Sequence, residues 1–404
     1  MNFRTLDQAK VEGKTVLVRV DINSPIDPET GKITDDTRIR ECIPTLKELS
    51  EKGAKVVVLA HQGRPGDEDF TTLEMHAKRL EEISGLHVKY IPDILGPSAQ
   101  EAIKKMRQGE ILILENVRFC AEESLSKPPK ELAKTYLVRE LSKLADIYVN
   151  DAFAAAHRSQ PSLVGFGVKL PTFAGRLMER EIRGLSRALS PERPCVYVLG
   201  GVKVDDSVKI AENVLNRDIA DEVLTGGLVS LVFLEAAGFQ IGDINLHALA
   251  ERGFREEIER AKKLLENHPG KIGIPMDVVV DARGKGKTLD VKKLPTEFPI
   301  CDIGPKTVEA YSKKILNART VVANGPMGVF EKKQFSRGTF EILRAMARSD
   351  GFTIIGGGHL VAAAQSIGVA DKIKHVSTGG GACISFLAGE KLPVLEMFEI
   401  AKGG

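Results

Sequence analysis

Thr15-Val16-Leu17-Val18-Arg19-Val20-Asp21-Ile22-Asn23 sets the fold: a β-branched apolar run that gives way abruptly to polar residues. Nearly continuous apolarity, without strict alternation, is the mark of a strand covered on both faces, as in a parallel sheet. Working outward, comparable runs recur at 55–60, 87–91, 111–114 and 146–149, separated by stretches of helical length. A second series occupies 195–199, 222–224, 276–280, 320–323, 352–355 and 373–376. The pattern predicts an α/β protein of two doubly wound parallel-sheet domains. Between the series, 171–189 interleaves Phe173, Leu177, Ile182 and Leu185 with Arg176, Glu179, Arg180, Glu181 and Arg183, as a mostly charged helix bridging two bodies would. Ser190-Pro191-Glu192-Arg193-Pro194 closes it, because proline disfavours further helix. The expected division is 1–172, a hinge helix at 173–190, 191–389, and a tail at 390–404.

The bulk composition agrees and narrows the partners. With 404 residues, 43% of them hydrophobic, the chain exceeds one ordinary core and suits two domains of roughly 150 to 200 residues. Lys and Arg total 57 against 55 Asp and Glu, a balance that gives no reason to expect nucleic acid or a membrane surface as partner. Cys42, Cys120, Cys195, Cys301 and Cys383 are scattered with no CxxC pair, which fits reduced thiols. The N-terminal MNFRTLDQAK lacks a signal-peptide core, and no segment approaches the ~20 apolar residues of a membrane span, so a cytoplasmic protein is expected.

In open parallel sheets, ligands bind beyond the carboxyl ends of the strands, and there the two halves differ. The first half offers polar and cationic groups: Asp21 and Asn23, His61 and Arg64, Asn116 and Arg118, Asn150 and Asp151, then His157 and Arg158. Converging guanidinium groups repel at about 1 to 4 kcal/mol per close pair, so an anion must offset them. The fork of donors on Arg matches carboxylate and phosphate oxygens. The second half offers glycines: Gly200-Gly201, Gly226-Gly227, Gly325, Gly356-Gly357-Gly358 and Gly379-Gly380-Gly381. Such turns before helices aim amide N–H groups at phosphate. Two Gly-Lys-Thr triplets, at Gly13 and Gly286, are not P-loops, since the partner glycine of that motif falls on Gln8 and Asp281.

The string VLVRVDINSP at 16–25 closely resembles the signature segment of phosphoglycerate kinases. ITDDTRIR (33–40), AHQGRP (60–65), LENVRF (114–119), NDAFAAAHRSQPS (150–162), LGGVKV (199–204), VVANGPMGVFE (321–331) and HVSTGGGA (375–382) follow in that family's order across nearly the whole chain. The resemblance implies a first domain that binds 3-phosphoglycerate or 1,3-bisphosphoglycerate through Asp21, Asn23, Arg38, His61, Arg64, Arg118 and Arg158, with Arg38 catalytic. It likewise implies a second domain that binds ATP or ADP with Mg²⁺. Lys203 would lie at the phosphates and act in catalysis, Asn324 close by and Glu331 near the ribose, with Gly356, Gly357, Gly358, His359, Gly379 and Gly380 facing the transferring group. A monomer whose tail returns to the first domain is the family expectation.

Two positions depart from the family pattern. Ser207 stands where many relatives carry a second lysine, and His359 where they have Asp. Imidazole is a poor Mg²⁺ ligand, which leaves Asp206, or nucleotide oxygens and water alone, to hold the ion. These replacements and the absence of Trp resemble an archaeal branch. Transfer between a carboxylate and a nucleotide needs no protein nucleophile, only positioning, cationic stabilisation and closure of the two domains around the reacting atoms. Two other readings use similar parts: an acetate- or carbamate-type acyl-phosphate kinase, which has less use for so many arginines, and a non-catalytic sensor on the same fold.

Overall fold

A computed structural model describes residues 3–401. Its first sheet contains β1 (Thr15–Val20), β2 (Lys55–Leu59), β3 (Val88–Tyr90), β4 (Ile111–Ile113), β5 (Ile147–Asp151) and β6 (Thr172–Ala174) in the order β3-β4-β2-β1-β5-β6. Every pairing is parallel. Side chains alternate across a strand. Val16, Val18 and Val20 therefore enter one core with Ile39, Leu46 and Leu49 of the helix Thr37–Glu51. Arg19 is forced to the opposite face, which is also covered, and is only 1% exposed.

The second sheet contains β7 (Cys195–Leu199), β8 (Glu222–Thr225), β9 (Ile272–Gly273), β13 (Thr320–Asn324), β14 (Phe352–Gly356) and β15 (His375–Val376), ordered β15-β14-β13-β7-β8-β9 and parallel throughout. Chain order reverses between β7 and β13, and such a reversal opens a crevice at the carboxyl ends. Here those ends are Leu199 and Asn324, and the amide of Gly200 donates to the Asn324 carbonyl at 2.9 Å.

One expected strand belongs elsewhere. The run at 276–280 is not part of the parallel sheet: β10 (Asp277–Ala282) pairs antiparallel with β11 (Lys285–Asp290) and β12 (Ile300–Ile303) in a separate three-stranded sheet. Arg283 and Gly284 explain this, since both have positive φ, 56° and 86°, and a two-residue turn of that kind folds a strand straight back on itself. The Gly286-Lys287-Thr288 triplet lies within β11, in a strand rather than a phosphate loop.

The segment 171–189 is likewise not one helix. It begins as β6, and the helix runs Arg176–Leu189. At the junction Asp151 Oδ1 accepts from the Met178 amide at 3.0 Å, and a β-carbon on Gly175 would fall 2.2 Å from that oxygen. The chain divides into two compact units, 3–183 with 391–401 and 184–390. The division thus falls inside this helix, within the 173–190 segment set apart above as a hinge. In the first unit the helix Pro393–Ile400 seats Met397 where a β-carbon on Gly167 would lie 2.1 Å from its sulfur. There the Val394 amide also donates to the Ala156 carbonyl at 3.3 Å. Among the described residues no helix is long and apolar enough to cross a membrane.

Gln62 ties together the ends of three strands. It accepts from the Ser24 amide (2.9 Å), and its side chain donates to the Ser24 carbonyl (3.0 Å). Its own carbonyl accepts from Asn116 Nδ2 (2.8 Å). His76 Nε2 donates to Gln62 Oε1 at 2.9 Å, and burial pushes its pKa down to about 4. The unfolded chain then protonates this ring first as pH falls, so its stabilising contribution is complete above pH 6.5 and disappears between 6.5 and 4. At about 1.4 kcal/mol per unit the loss is roughly 3 kcal/mol. Urea midpoints of wild type should therefore fall more steeply across that window than those of His76→Gln, which retains an N–H for Gln62. Parallel curves would contradict the assignment.

Candidate active site

Beyond the carboxyl ends of the first sheet the expected cationic residues converge. Arg64, Arg118 and Arg158 line an open cavity of about 430 Å³ together with Cys120, Glu123 and Gln160. None of the three arginines has a carboxylate hydrogen-bonded to it among the described residues; Arg118 Nη1 donates to the Gly63 carbonyl and Arg158 Nε meets His157 at 3.3 Å. Burial, with Arg158, Arg19 and Arg64 close by, pushes the Arg118 pKa down to about 10. Arg158 is lowered by burial and by Arg64, Arg19 and Arg38, with Asp21 opposing. A site that makes even guanidinium groups less basic is one prepared for negative charge.

Asp21 and Arg38 complete this end. Arg38 Nη1 reaches both Asp21 carboxylate oxygens at 3.2 Å, and the Asn23 amide donates to Asp21 Oδ1 at 3.1 Å. Burial opposes ionisation of Asp21, yet its pKa lies below the ordinary value because His61, Arg38 and Arg19 surround it. His61 is itself driven well below 6.5 by burial and by neighbouring arginines, so it is uncharged and the two arginines are the cations that hold Asp21. Asn23 Oδ1 is taken by the Gly63 amide at 2.8 Å, which makes this side chain a clamp between the loops after β1 and β2.

Beneath the cavity lies a chain of groups that the motif reading did not single out. Buried Arg19 donates through Nε to Ser162 Oγ (2.8 Å), through Nη2 to His61 Nδ1 (3.0 Å), and through Nη1 to the Val20 carbonyl. Ser162 Oγ in turn donates to Glu123 Oε1 at 2.5 Å, and its amide donates to Oε2 at 2.9 Å. Arg has only donors, so His61 Nδ1 must accept and the proton resides on Nε2. Charge-assisted bonds of this kind contribute about 1.5 to 3 kcal/mol each. Their effect is to fix both the tautomer and the orientation of His61. The available signal in the sequence was Arg19 itself, a charge inside an apolar run.

In the second unit two adjoining cavities share Gly201, Val202, Pro326 and His359. The larger, about 420 Å³, is lined by Lys203, Asn324, Gly357, Gly358 and Gly380 among others. The smaller, about 270 Å³, has apolar walls from Leu228, Ile300, Met327 and Val329, with Cys301 alongside and Glu331 at an exposed position. The helix Gly358–Ser366 starts at the larger cavity, and its first intrahelical bond is donated by Val361, so the amides before it are free to meet an anion. Gly356 and Gly379 were expected at this surface but do not line it. Gly356 ends β14, where a β-carbon would lie 3.0 Å from Cys383 Sγ, and the Gly379 amide donates to Ser377 Oγ at 3.2 Å.

For a divalent ion the protein offers few ligands. Among the described residues no three His, Cys, Asp or Glu side chains gather. Asp206 does not line the cavity, and burial and Asp205 raise its pKa. Ser207 is buried in the first turn of the helix Val204–Asn216 and leaves no cation in the cavity in the lysine's place. His359 lines the cavity but is an exposed imidazole. Asn324 Oδ1, by contrast, is a buried oxygen with no hydrogen-bond partner. The donor set fits an ion that arrives on phosphate oxygens with its own waters, which is how Mg²⁺ is ordinarily carried.

Residues 6–390 match the model of the phosphoglycerate kinase family. A phosphoglycerate kinase of Methanothermobacter thermautotrophicus is 55% identical over 398 residues, 98% of this chain and 97% of that one. One from Pyrococcus furiosus is 49% identical over 393 residues, covering 96% and 95%. The crystal structure of phosphoglycerate kinase from Pyrococcus horikoshii OT3 superposes with a TM-score of 0.90 at 47% identity, and that from Coxiella burnetii with 0.84 at 32%, each covering 99% of both chains.

The crowding of arginines has a thermodynamic consequence independent of substrate. A ligand that binds only the folded state raises Tm by mass action. Inorganic phosphate should raise Tm well beyond NaCl at equal ionic strength, and Arg118→Ala and Arg158→Ala should each remove about half or more of that increment. Equal increments in variants and wild type would show that these arginines do not share an anion.

Proposed function

The chain belongs to the phosphoglycerate kinase family, and we propose that its two polar surfaces divide the reaction between them, the acidic metabolite on the first unit and the nucleotide on the second. The enzyme transfers a phosphoryl group reversibly between 1,3-bisphosphoglycerate and ADP, giving 3-phosphoglycerate and ATP, with Mg²⁺ accompanying the nucleotide. The observation that carries the division is the contrast in donors: guanidinium groups without carboxylate partners on one unit, glycine amides and a lysine on the other.

On this reading Arg64, Arg118 and Arg158 grip the phosphate of the three-carbon acid, whose two negative charges relieve their repulsion. His61, fixed by Arg19 as the Nε2–H tautomer, donates to the same ligand. Asp21 and Asn23 complete its cradle. In the second unit Lys203 and the amides of Gly357, Gly358, His359 and Gly380 take the nucleotide phosphates, Asn324 lies beside them, and Gly356 and Gly379 support the loops. The apolar cavity takes the purine, and Glu331 accepts from the ribose hydroxyls.

When 3-phosphoglycerate is the acceptor, its carboxylate oxygen forms a bond to the γ-phosphorus of ATP as the β–γ bridging P–O bond breaks. The electron pair leaves with ADP. Both nucleophiles of the reversible reaction are already ionised, so no general base acts. The charge spread over the transferring group is met by cations, for which Arg38 and Lys203 are assigned. Asp21 holds the Arg38 guanidinium while leaving it 39% exposed. Mg²⁺ neutralises phosphate oxygens when bound. Since the ligands belong to different units, binding of both must draw those units together to bring the reacting atoms within ~3 Å. Five cysteines with no disulfide among them fit a reducing compartment, and we place the enzyme in the cytoplasm.

The deciding experiment is ATP-dependent turnover of 3-phosphoglycerate coupled to a dehydrogenase, with acetate and carbamate run in parallel. Turnover of 3-phosphoglycerate alone is expected, and acetate as the sole substrate would overturn the assignment of the acid. Arg38→Ala should lower kcat by about 10²- to 10³-fold while the KM for MgATP changes by less than about twofold. A near-wild-type kcat would remove Arg38 from catalysis.

A further inference from the structure

Among the described residues that line the arginine cavity, Glu123 is the only acid, and the transfer of the phosphoryl group makes no use of it. It belongs to the short turn Ala121–Ser124 and is only 1% exposed, so it acts on a ligand through its charge and not by contact. A fixed negative charge in that wall opposes the anion that the arginines attract. Its presence there needs a reason.

The charged and titratable groups that face Glu123 come from several elements. β1 supplies Arg19, the turn after β4 supplies Arg118, and β5 supplies Tyr148, a buried phenol that stays neutral. Arg64 and Arg158 line the same cavity, and His61 joins Arg19. Cys120 shares the wall, its thiol kept protonated chiefly by burial, while Glu122 is committed to the amides of Tyr136 (3.0 Å) and Leu137 (2.9 Å). Burial pushes the Glu123 pKa above the ordinary carboxylate value, although Arg19, Ser162 and Arg118 favour the ionised form. That balance leans on a cation that a ligand would occupy. A dianion held by Arg64, Arg118 and Arg158 sets negative charge beside the carboxylate and cancels the attraction of Arg118.

Ser162 is a partner for either state of this acid. Its hydroxyl, 2.5 Å from Oε1, donates to a carboxylate and can equally accept from a carboxylic acid, because a hydroxyl carries one proton and two lone pairs. With a proton on Oε1, Oε2 still accepts from the Ser162 amide at 2.9 Å. Protonation therefore leaves no orphaned atom behind.

We infer that Glu123 is a movable counter-charge: ionised while the cavity is empty, it takes up a proton from solvent when the phosphate end of the acid metabolite enters, so that binding is coupled to proton uptake. The proton adds to Oε1 and no bond in the ligand breaks. This coupling rests on the placement of the acid metabolite proposed above and gives that site a dependence on pH. Its sign follows from linkage: a group that binds its proton more tightly in the complex makes affinity fall as pH rises.

Sulfate is the probe, because it stays ionised throughout and releases no proton of its own, whereas a phosphate monoester titrates near pH ~6. Calorimetry in buffers of different ionisation enthalpy counts the protons. Wild type should take up roughly a quarter of a proton or more per sulfate near neutral pH, and Glu123→Gln distinctly less. 3-Phosphoglycerate should show the same difference between the two proteins. At about pH 8 Glu123→Gln should bind sulfate about threefold or more tightly than wild type, and the two affinities should converge toward pH ~5, where the wild-type acid is neutral as well. A purely structural Glu123 predicts weaker binding in the variant at every pH, and that result would overturn the coupling. Equal uptake in both proteins would assign the proton to His61 and overturn it too. Infrared difference spectra need no variant: in wild type carrying ¹³C-labelled glutamate, sulfate should bring up a carboxylic-acid carbonyl band with the isotope shift, and its absence would count against the proposal. Undiminished sulfate binding in Arg118→Ala would show that the cavity is not the anion site, so the placement would fail with the coupling; weakened binding there with equal proton counts would sink the coupling alone.

Discussion

Mutual repulsion among Arg19, Arg38, Arg64, Arg118 and Arg158 is the constraint around which the first unit is arranged. At an effective dielectric near 20, each pair within ~4 Å costs about 4 kcal/mol, and burial adds to that cost. The protein answers it in two ways. Asp21 neutralises Arg38 directly, and Glu123 serves Arg19 through Ser162. Arg64, Arg118 and Arg158 are left without an acid, and their charge is available to whatever anion enters. A fold that compensated all five would be more stable and would bind nothing.

The second unit uses the opposite material for a related task. Its donors are chiefly backbone amides exposed by glycine at strand ends, which carry partial charge and do not repel one another as guanidinium groups do. Amides fixed by secondary structure need no side-chain ordering on binding. Acceptors of positive charge are correspondingly scarce. Asp302 shows what becomes of a carboxylate in the same region: burial lifts its pKa to about 7, and its oxygens are committed to the Gly338 and Ile303 amides, binding β12 to the helix Arg337–Arg348.

Much of this architecture was legible in the sequence because buried parallel strands leave a plain trace. β7 was read with its exact ends, and the polar residues after β1 and the glycines after β7 fell at the strand termini. The run at 276–280 misled because apolarity does not encode strand direction; the Arg283-Gly284 turn does, and only through a positive φ that arginine rarely adopts. Short strands were missed for a different reason. β9 has two residues, and β6 is hidden against a charged helix. At the site, residues that would touch ligand stood out as polar groups at strand ends. Glu123 and Ser162 did not, since their importance lies in bonds across 39 positions of sequence.

The return of 391–401 to the first unit also has a temporal meaning. The Val394 amide bonds to Ala156, immediately before His157 and Arg158, so the loop bearing one of the anion-gripping arginines is braced by residues that follow the whole second unit in the chain. A ribosome making this protein lays down the whole second unit before it can supply that brace. The nascent first unit therefore waits, sheet formed and loop unsupported, through the synthesis of 184–390. The brace for that loop arrives only after the second unit has been made.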